Sequence, residues 1–223
     1  GSRCRSWFRC GGRCAVRGEH ERTVLLPGGE VLRLKRPYMV CQRCGVGRFP
    51  LDEALGLFPG GLSPRLHEAV VRLSTSLPFA QAAREVQWLL GANVSEQMAC
   101  RLTERAGATS VALHDREVER LAAQRPAPPV GPAIQQISAD GAMVPLVKGE
   151  WAEVKTVAIG TVVTTPGRAG NVPRATDISY FSRLADHESF SRSAWPELHR
   201  RGIETAGVVV AVADGSEWLQ KFM

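Results

Sequence analysis

The fold class expected of this chain is a multidomain mixture, α+β at its start and α/β at its end, and three observations lead there. Five of the six cysteines fall in the first fifty residues, between short alternating β-like runs. The apolar spacing is then helical from Ser63 to Leu121. Beyond Pro126-Ala127-Pro128-Pro129 it switches to the period of strands, a change that separates elements of different type. The expected domains are therefore residues 1–50, 51–125 and 130–223, with the stiff proline linker as the clearest boundary.

In the first module Cys41-Gln42-Arg43-Cys44-Gly45 is a C-x-x-C-G knuckle, a tight turn that lets two thiolates face one zinc ion. The partner pair comes from Cys4, Cys10 and Cys14. Cys10-Gly11-Gly12 repeats the Cys-Gly signature, and Cys10 and Cys14 have an allowed ligand spacing. Between the pairs, Arg22 to Leu26 and Glu30 to Tyr38 alternate like strands around Pro27-Gly28-Gly29. Two knuckles joined by a hairpin make a zinc ribbon, with Cys10, Cys14, Cys41 and Cys44 as ligands and the choice between Cys4 and Cys14 open. The odd cysteine count and an intracellular setting argue against disulfides. Cys100 lies far away in a helical stretch and reads as a core residue.

Charge follows the same division. Residues 1–50 carry eleven Lys and Arg against three Asp and Glu, while the rest of the chain carries seventeen against nineteen. A basic excess confined to one module suits a phosphate-backbone partner.

In the middle, Ser63-Pro64 has the cap-then-proline order of a helix start, and Leu66, Val70 and Leu73 form an apolar stripe. Pro78-Phe79 interrupts it. Ala80 to Leu90 reads as a second helix stopped by Gly91, and Ser95 caps a third, with Gly107 as a kink. Two helices across a short glycine-containing turn have the outline of a helix-turn-helix.

The last domain is organised by Ile134 to Pro145, an apolar run that reaches Asp140-Gly141. The pattern returns 74 positions later as Val208 to Ala213 followed by Asp214-Gly215. Each run reads as a strand ending at a carboxylate, and two such aspartates on neighbouring strands can share divalent ions that activate water at a phosphodiester. Asp-Gly is also the favoured hairpin turn, so the motif alone is weak. Met143 to Val147, Val154 to Thr164 and Ile178 to Phe181 are further strand-like runs. Asp186 to Arg201 reads as a helix interrupted by Pro196. Lys155 and Trp151 are candidates to position a nucleic acid, although on a strand a Trp more often packs in a core and a Lys lies on the surface. Asp177, Asp186 and Glu153 read as surface acids.

No run approaches the roughly 18 apolar residues of a membrane span, and no signal peptide is visible. A soluble intracellular protein is the expectation. The chain starts Gly1-Ser2 and stops at Trp218-Leu219-Gln220-Lys221-Phe222-Met223, inside an apolar helix-like pattern, so a truncated C-terminus is expected.

Across nearly its whole length the chain resembles bacterial insertion-sequence DDE transposases of the ISKra group. The resemblance is carried by the Cys-rich basic start, R-P-Y-M-V-C-Q-R-C-G, P-L-D-E-A-L-G-L from Pro50, Ser63-Pro64 and L-P-F-A-Q-A-A-R-E from Leu77. It continues through D-G-A-M-V-P from Asp140, W-A-E-V-K from Trp151 and A-D-G-S-E-W from Ala213. It implies a ribonuclease-H-like catalytic domain with an Asp-Asp-Glu triad, a pair of magnesium ions and double-stranded DNA as partner. It also implies a homo-oligomer on DNA and a cytoplasmic, nucleoid-associated location. The first two acids map onto Asp140 and Asp214. The third, a glutamate on a later helix, is expected to have no counterpart because the chain ends first, and Glu217, three residues after Asp214, is too close to take its place. The family's first knuckle is C-x-x-C-G, whereas here Trp7 stands three residues before Cys10. Two alternatives remain: a catalytically incomplete DNA-binding fragment of such an enzyme, and another ribonuclease-H-like nuclease.

Overall fold

The structure is a computed structural model that describes residues 10, 12–146, 149–167, 170–215, 218 and 222. It is a mixed α+β chain of two sheets and five helices among these residues. It forms two compact units, Gly1–Thr109 and Ser110–Met223. None of the described helices is long and apolar enough to cross a membrane.

The first unit opens with a hairpin of β1 (Cys14–Leu25) and β2 (Val31–Cys41), extended by the short β3 (Gly47–Arg48). The turn forms where Pro27-Gly28-Gly29 allows it, with both glycines at positive φ and the Leu26 N–H donating to the Glu30 carbonyl at 2.8 Å. The ladder runs from Leu25↔Val31 at the turn to Cys14↔Cys41 at the open end, so both strands are longer than their alternating cores.

α1 (Pro50–Ala54) belongs to the P-L-D-E-A-L-G-L stretch and is tied to the hairpin. The Asp52 carboxylate accepts from Arg22 at 2.8 Å and from Arg36, and all three side chains are about nine-tenths buried. Arg36 also lies 3.8 Å over the ring of Phe49. Arg48 pairs with Glu53 at 2.8 Å. Three of the module's basic side chains are thus engaged within the fold and two of their charges are offset by Asp52 and Glu53, which reduces the charge it offers to a partner.

Three helices complete this unit: α2 (Pro64–Ser74), α3 (Phe79–Leu90) and the first half of α4 (Glu96–Gln124). Their starts follow the local chemistry. The Leu66 N–H donates to the Ser63 hydroxyl at 3.4 Å, and the Met98 N–H to that of Ser95 at 3.1 Å. Gly91 closes α3 in the left-handed conformation. The stripes Leu66, Val70, Val86, Ala99 and Leu102 meet in one core, joined by Leu62, Ala92 and Val94. The hairpin turn sits on the end of α3, where the Gly28 N–H donates to the Leu90 carbonyl at 2.6 Å. A Cβ on Gly29 would come within 2.6 Å of the Gly91 carbonyl oxygen. α4 continues through Gly107 as one helix, where the sequence suggested a kink.

The second unit contains the rest of α4 and a four-stranded sheet. Its strands are β4 (Ile134–Pro145), β5 (Trp151–Gly167), β6 (Gly170–Leu184) and β7 (Val208–Val212), ordered β6-β5-β4-β7. β4, β5 and β6 form an antiparallel meander. The chain then passes through α5 (His187–Arg200), capped by Asp186, and returns as β7, parallel to β4. α5 runs through the buried Pro196 without a break. Its Phe190 and Ala194 cover Ile137, Ala139, Val157 and Ile159, with Trp218 and Phe222 packed alongside. Phe190 is fully buried, a contribution of roughly 2–3 kcal/mol from its transfer out of water.

One sequence expectation is overturned here. Asp140-Gly141 neither ends a strand nor turns. β4 is unbroken from Ile134 to Pro145, and β5 pairs with every residue from Gln135 to Pro145, including Asp140↔Thr156 and Gly141↔Lys155. Eleven consecutive pairs outweigh the local turn preference of the dipeptide.

Candidate functional site

Among the described residues, each unit carries side chains that the sequence singled out. In the first, the chain leaves β2 at Cys41 and folds back. The Gln42 N–H donates to the Arg13 carbonyl, and the Gly45 N–H, at a φ of 71°, to the Cys41 carbonyl, each at 2.9 Å. This turn brings Cys41 and Cys44 to the segment carrying Cys10. The Cys10 sulfur lies 3.3 Å from that of Cys41 and 3.4 Å from that of Cys44. Arg43 ties the strands together by donating to the Cys10 carbonyl at 3.0 Å.

These separations are far longer than a disulfide bond. They approach the edge, about 3.8 Å, of a tetrahedron with 2.3 Å zinc–sulfur bonds. The three sulfurs all lie within 4.8 Å of one another and are able to hold a thiophilic metal ion such as zinc. Backbone geometry already favours a thiolate. The Cys44 N–H in particular holds the Cys41 thiol down to about 7, against the opposing effect of burial. At Cys10 the Gly12 N–H pulls downward, but the neighbouring Cys41 and Cys44 sulfurs carry the thiol upward.

Cys14, expected as a ligand with these three, is not among the sulfurs that meet. It starts β1 directly opposite Cys41 in the ladder, beside the trio and outside it. Cys4 falls outside the described residues. Cys100 is half-buried on α4, and burial above all pushes its thiol up.

The second group stands on the sheet. Gln135, Ile137 and Ala139 face α5 and are buried, and by strand alternation Asp140 points to the opposite, exposed face. Across the ladder Asp140 pairs with Thr156, whose hydroxyl lies 2.9 Å from that of Ser182 on β6. The Gly141 N–H donates to the Asp140 carboxylate at 2.8 Å. The parallel β4–β7 ladder ends at Ser138↔Val212. Asp140 and Asp214, 74 residues apart in the chain, each lie two residues beyond that last pair. Glu217 lies outside the described residues.

On the covered face the usual roles of Trp and Lys are exchanged. Trp151 is 62% exposed, whereas Lys155 is 7% exposed, donates to the Glu153 carboxylate at 2.5 Å and to the Ala185 carbonyl at 3.2 Å, and lies 5.4 Å from the Trp218 ring. Glu153, read from the sequence as a surface acid, is therefore the partner of a buried ammonium. Its carboxylate lies against Gly141, where a Cβ would come within 2.1 Å of it. A Cys-like motif signal was absent for Glu153. Asp177, at a φ of 49°, holds Arg201 at 2.7 Å, and Asp186 caps α5.

The fold and these groups define a mixed α+β protein with a three-cysteine, metal-competent ribbon and an aspartate-bearing sheet. Compared with known families and curated proteins, the chain matches no family model and no curated relative.

Proposed function

We propose that the chain is the DNA-handling part of a DDE-type transposase: a zinc ribbon and helix-turn-helix-like layer that hold double-stranded DNA, followed by a ribonuclease-H-like domain that cuts it. The observation that carries this reading is the register of β4 and β7, with Asp140 and Asp214 each two residues past its end. The strand order also supports it, because an antiparallel meander, a helix and a fourth strand parallel to the first are what a ribonuclease-H-like sheet requires. In the ribbon, Cys10, Cys41 and Cys44 hold zinc, with Cys14 or Cys4 completing the set.

Two neighbouring carboxylates suit a hard cation such as magnesium. When bound, the ion supplies an activated water and charge neutralisation at the scissile phosphate. The chain's own part is to hold that charge. Asp140 is fixed by the Gly141 N–H and by its place in an unbroken strand, while Thr156 and Ser182 extend the polar row beside it.

A second reading, a DNA-binding fragment that does not cut, is favoured by one observation. Among the described residues no third acid joins Asp140 and Asp214 in a metal-holding group, and Glu153 faces the other side of the sheet.

The test uses the 223-residue chain with manganese as a spin probe and a labelled duplex. Asp140→Asn or Asp214→Asn should each remove manganese bound outside the ribbon and leave duplex affinity unchanged. Manganese binding that survives both substitutions would sink the paired-acid reading.

A further inference from the structure

Loop 58–61, α2 and α4 enclose a cavity of about 270 Å³ in the first unit, lined by Phe58, His67, Met98, Arg101, Leu102 and Arg105 among others. Its charged and titratable groups are Arg101, Arg105 and His67, and no carboxylate lines it. Arg101 and Arg105 are one helical turn apart on α4, so their side chains share a face. Both are exposed, and neither pairs with an acid among the described residues. Burial first, and then the Arg105 charge, lowers the His67 imidazole.

The remaining wall is also prepared. His67 stacks on Phe58 with ring centroids 4.8 Å apart. Arg22 takes the carbonyls of Phe58 and of Gly60, the latter at 2.7 Å. Two loop oxygens that would repel an anion are thereby satisfied from the outside. The volume lies below the range of drug-sized ligands, which suits a small group rather than a whole nucleotide.

We propose that this cleft seats one phosphodiester of a nucleic-acid backbone, with the phosphate against Arg101 and Arg105 and the sugar against the Phe58–His67 stack. The inference rests on the DNA-partner reading above and names the place on the first unit where the backbone is held. Inorganic phosphate shares the chemistry, so the test separates the two sources.

The full chain and its Arg101→Ala/Arg105→Ala variant are titrated with a 20-base-pair duplex at several salt concentrations, and with inorganic phosphate alone, while the His67 ring signals are followed by NMR. A melting curve on the variant checks folding, which two exposed positions should leave intact. The seat is supported if duplex moves the His67 signals and raises its titration point, and if the variant loses that response. The variant should also bind about tenfold more weakly, with a log–log salt slope shallower by about one unit, as expected for one phosphate contact. Duplex binding with an unchanged slope and unmoved His67 signals overturns the seat and leaves the DNA reading standing. If no duplex binds at low salt, the DNA reading fails. A phosphate response lost in the variant would then reassign the cleft to a free phosphate, and no response to either probe would overturn the proposal.

Discussion

Replacing Gly12 with alanine tests the metal centre without touching a ligand. A Cβ there would stand 2.6 Å from the Cys41 sulfur and 2.8 Å from the Arg43 Cβ. Ordinary carbon–sulfur contact is about 1 Å longer, and neither neighbour is the free end of a flexible side chain, since Cys41 is buried and Arg43 is held to the Cys10 carbonyl. The sulfur must therefore move by about 1 Å, against a tolerance of about 0.2 Å in zinc–ligand distances. Gly12→Ala should weaken zinc binding by at least tenfold and approach the effect of Cys41→Ser, while Gly107→Ala, inside α4 with open space around its Cβ, should leave zinc content unchanged. Zinc content by elemental analysis and metal release to a chromogenic chelator would measure it. Full zinc occupancy with unchanged affinity in Gly12→Ala would refute the assignment of the trio as the binding centre.

Two further outcomes are open to measurement. Asp52→Ala leaves Arg22 and Arg36 nearly buried without their shared carboxylate, and should destabilise the first unit by about 3 kcal/mol in urea unfolding; a loss under about 1 kcal/mol would show that the pair is solvent-screened. Asp186 is held below the usual carboxylate range, chiefly by the Ser189 N–H at the start of α5. Its contribution is therefore present above the unfolded carboxylate range and lost as pH falls through the lowered folded value. Asp186→Asn should flatten the acid limb of the second unit's melting temperature, and an acid limb identical to that of the parent chain would count against the cap.

Where local chemistry determines structure, the sequence was a sufficient guide. Ser63 and Ser95 start helices because a hydroxyl satisfies an otherwise unpaired N–H, and Pro27-Gly28-Gly29 turns because glycine tolerates positive φ. Partners distant in the chain decided the rest. Asp140-Gly141 reads as a turn until β5 supplies its ladder, and Gly141 proves to be the gap that admits the Glu153 carboxylate. Lys155 is buried because Glu153 and the Ala185 carbonyl receive its charge, which no periodicity reveals. At the cysteine trio the knuckle pair and Cys10 were legible from spacing. The position of Cys14 depended on strand register, and the role of Asp52 on two arginines far upstream.

The β1–β2 hairpin is gripped at both ends by unrelated means. At one end stand the cysteines, and at the other, about 35 Å away along an extended strand, its turn is bonded to the end of α3. Val24 is buried near that far end. If the trio holds zinc as proposed, its loss becomes a graded event rather than collapse of the whole module. Amide protection should vanish first around Cys41 and Val40 and persist around Val24 and Leu25, so that a demetallated chain frays from one tip and keeps its anchor on the helices.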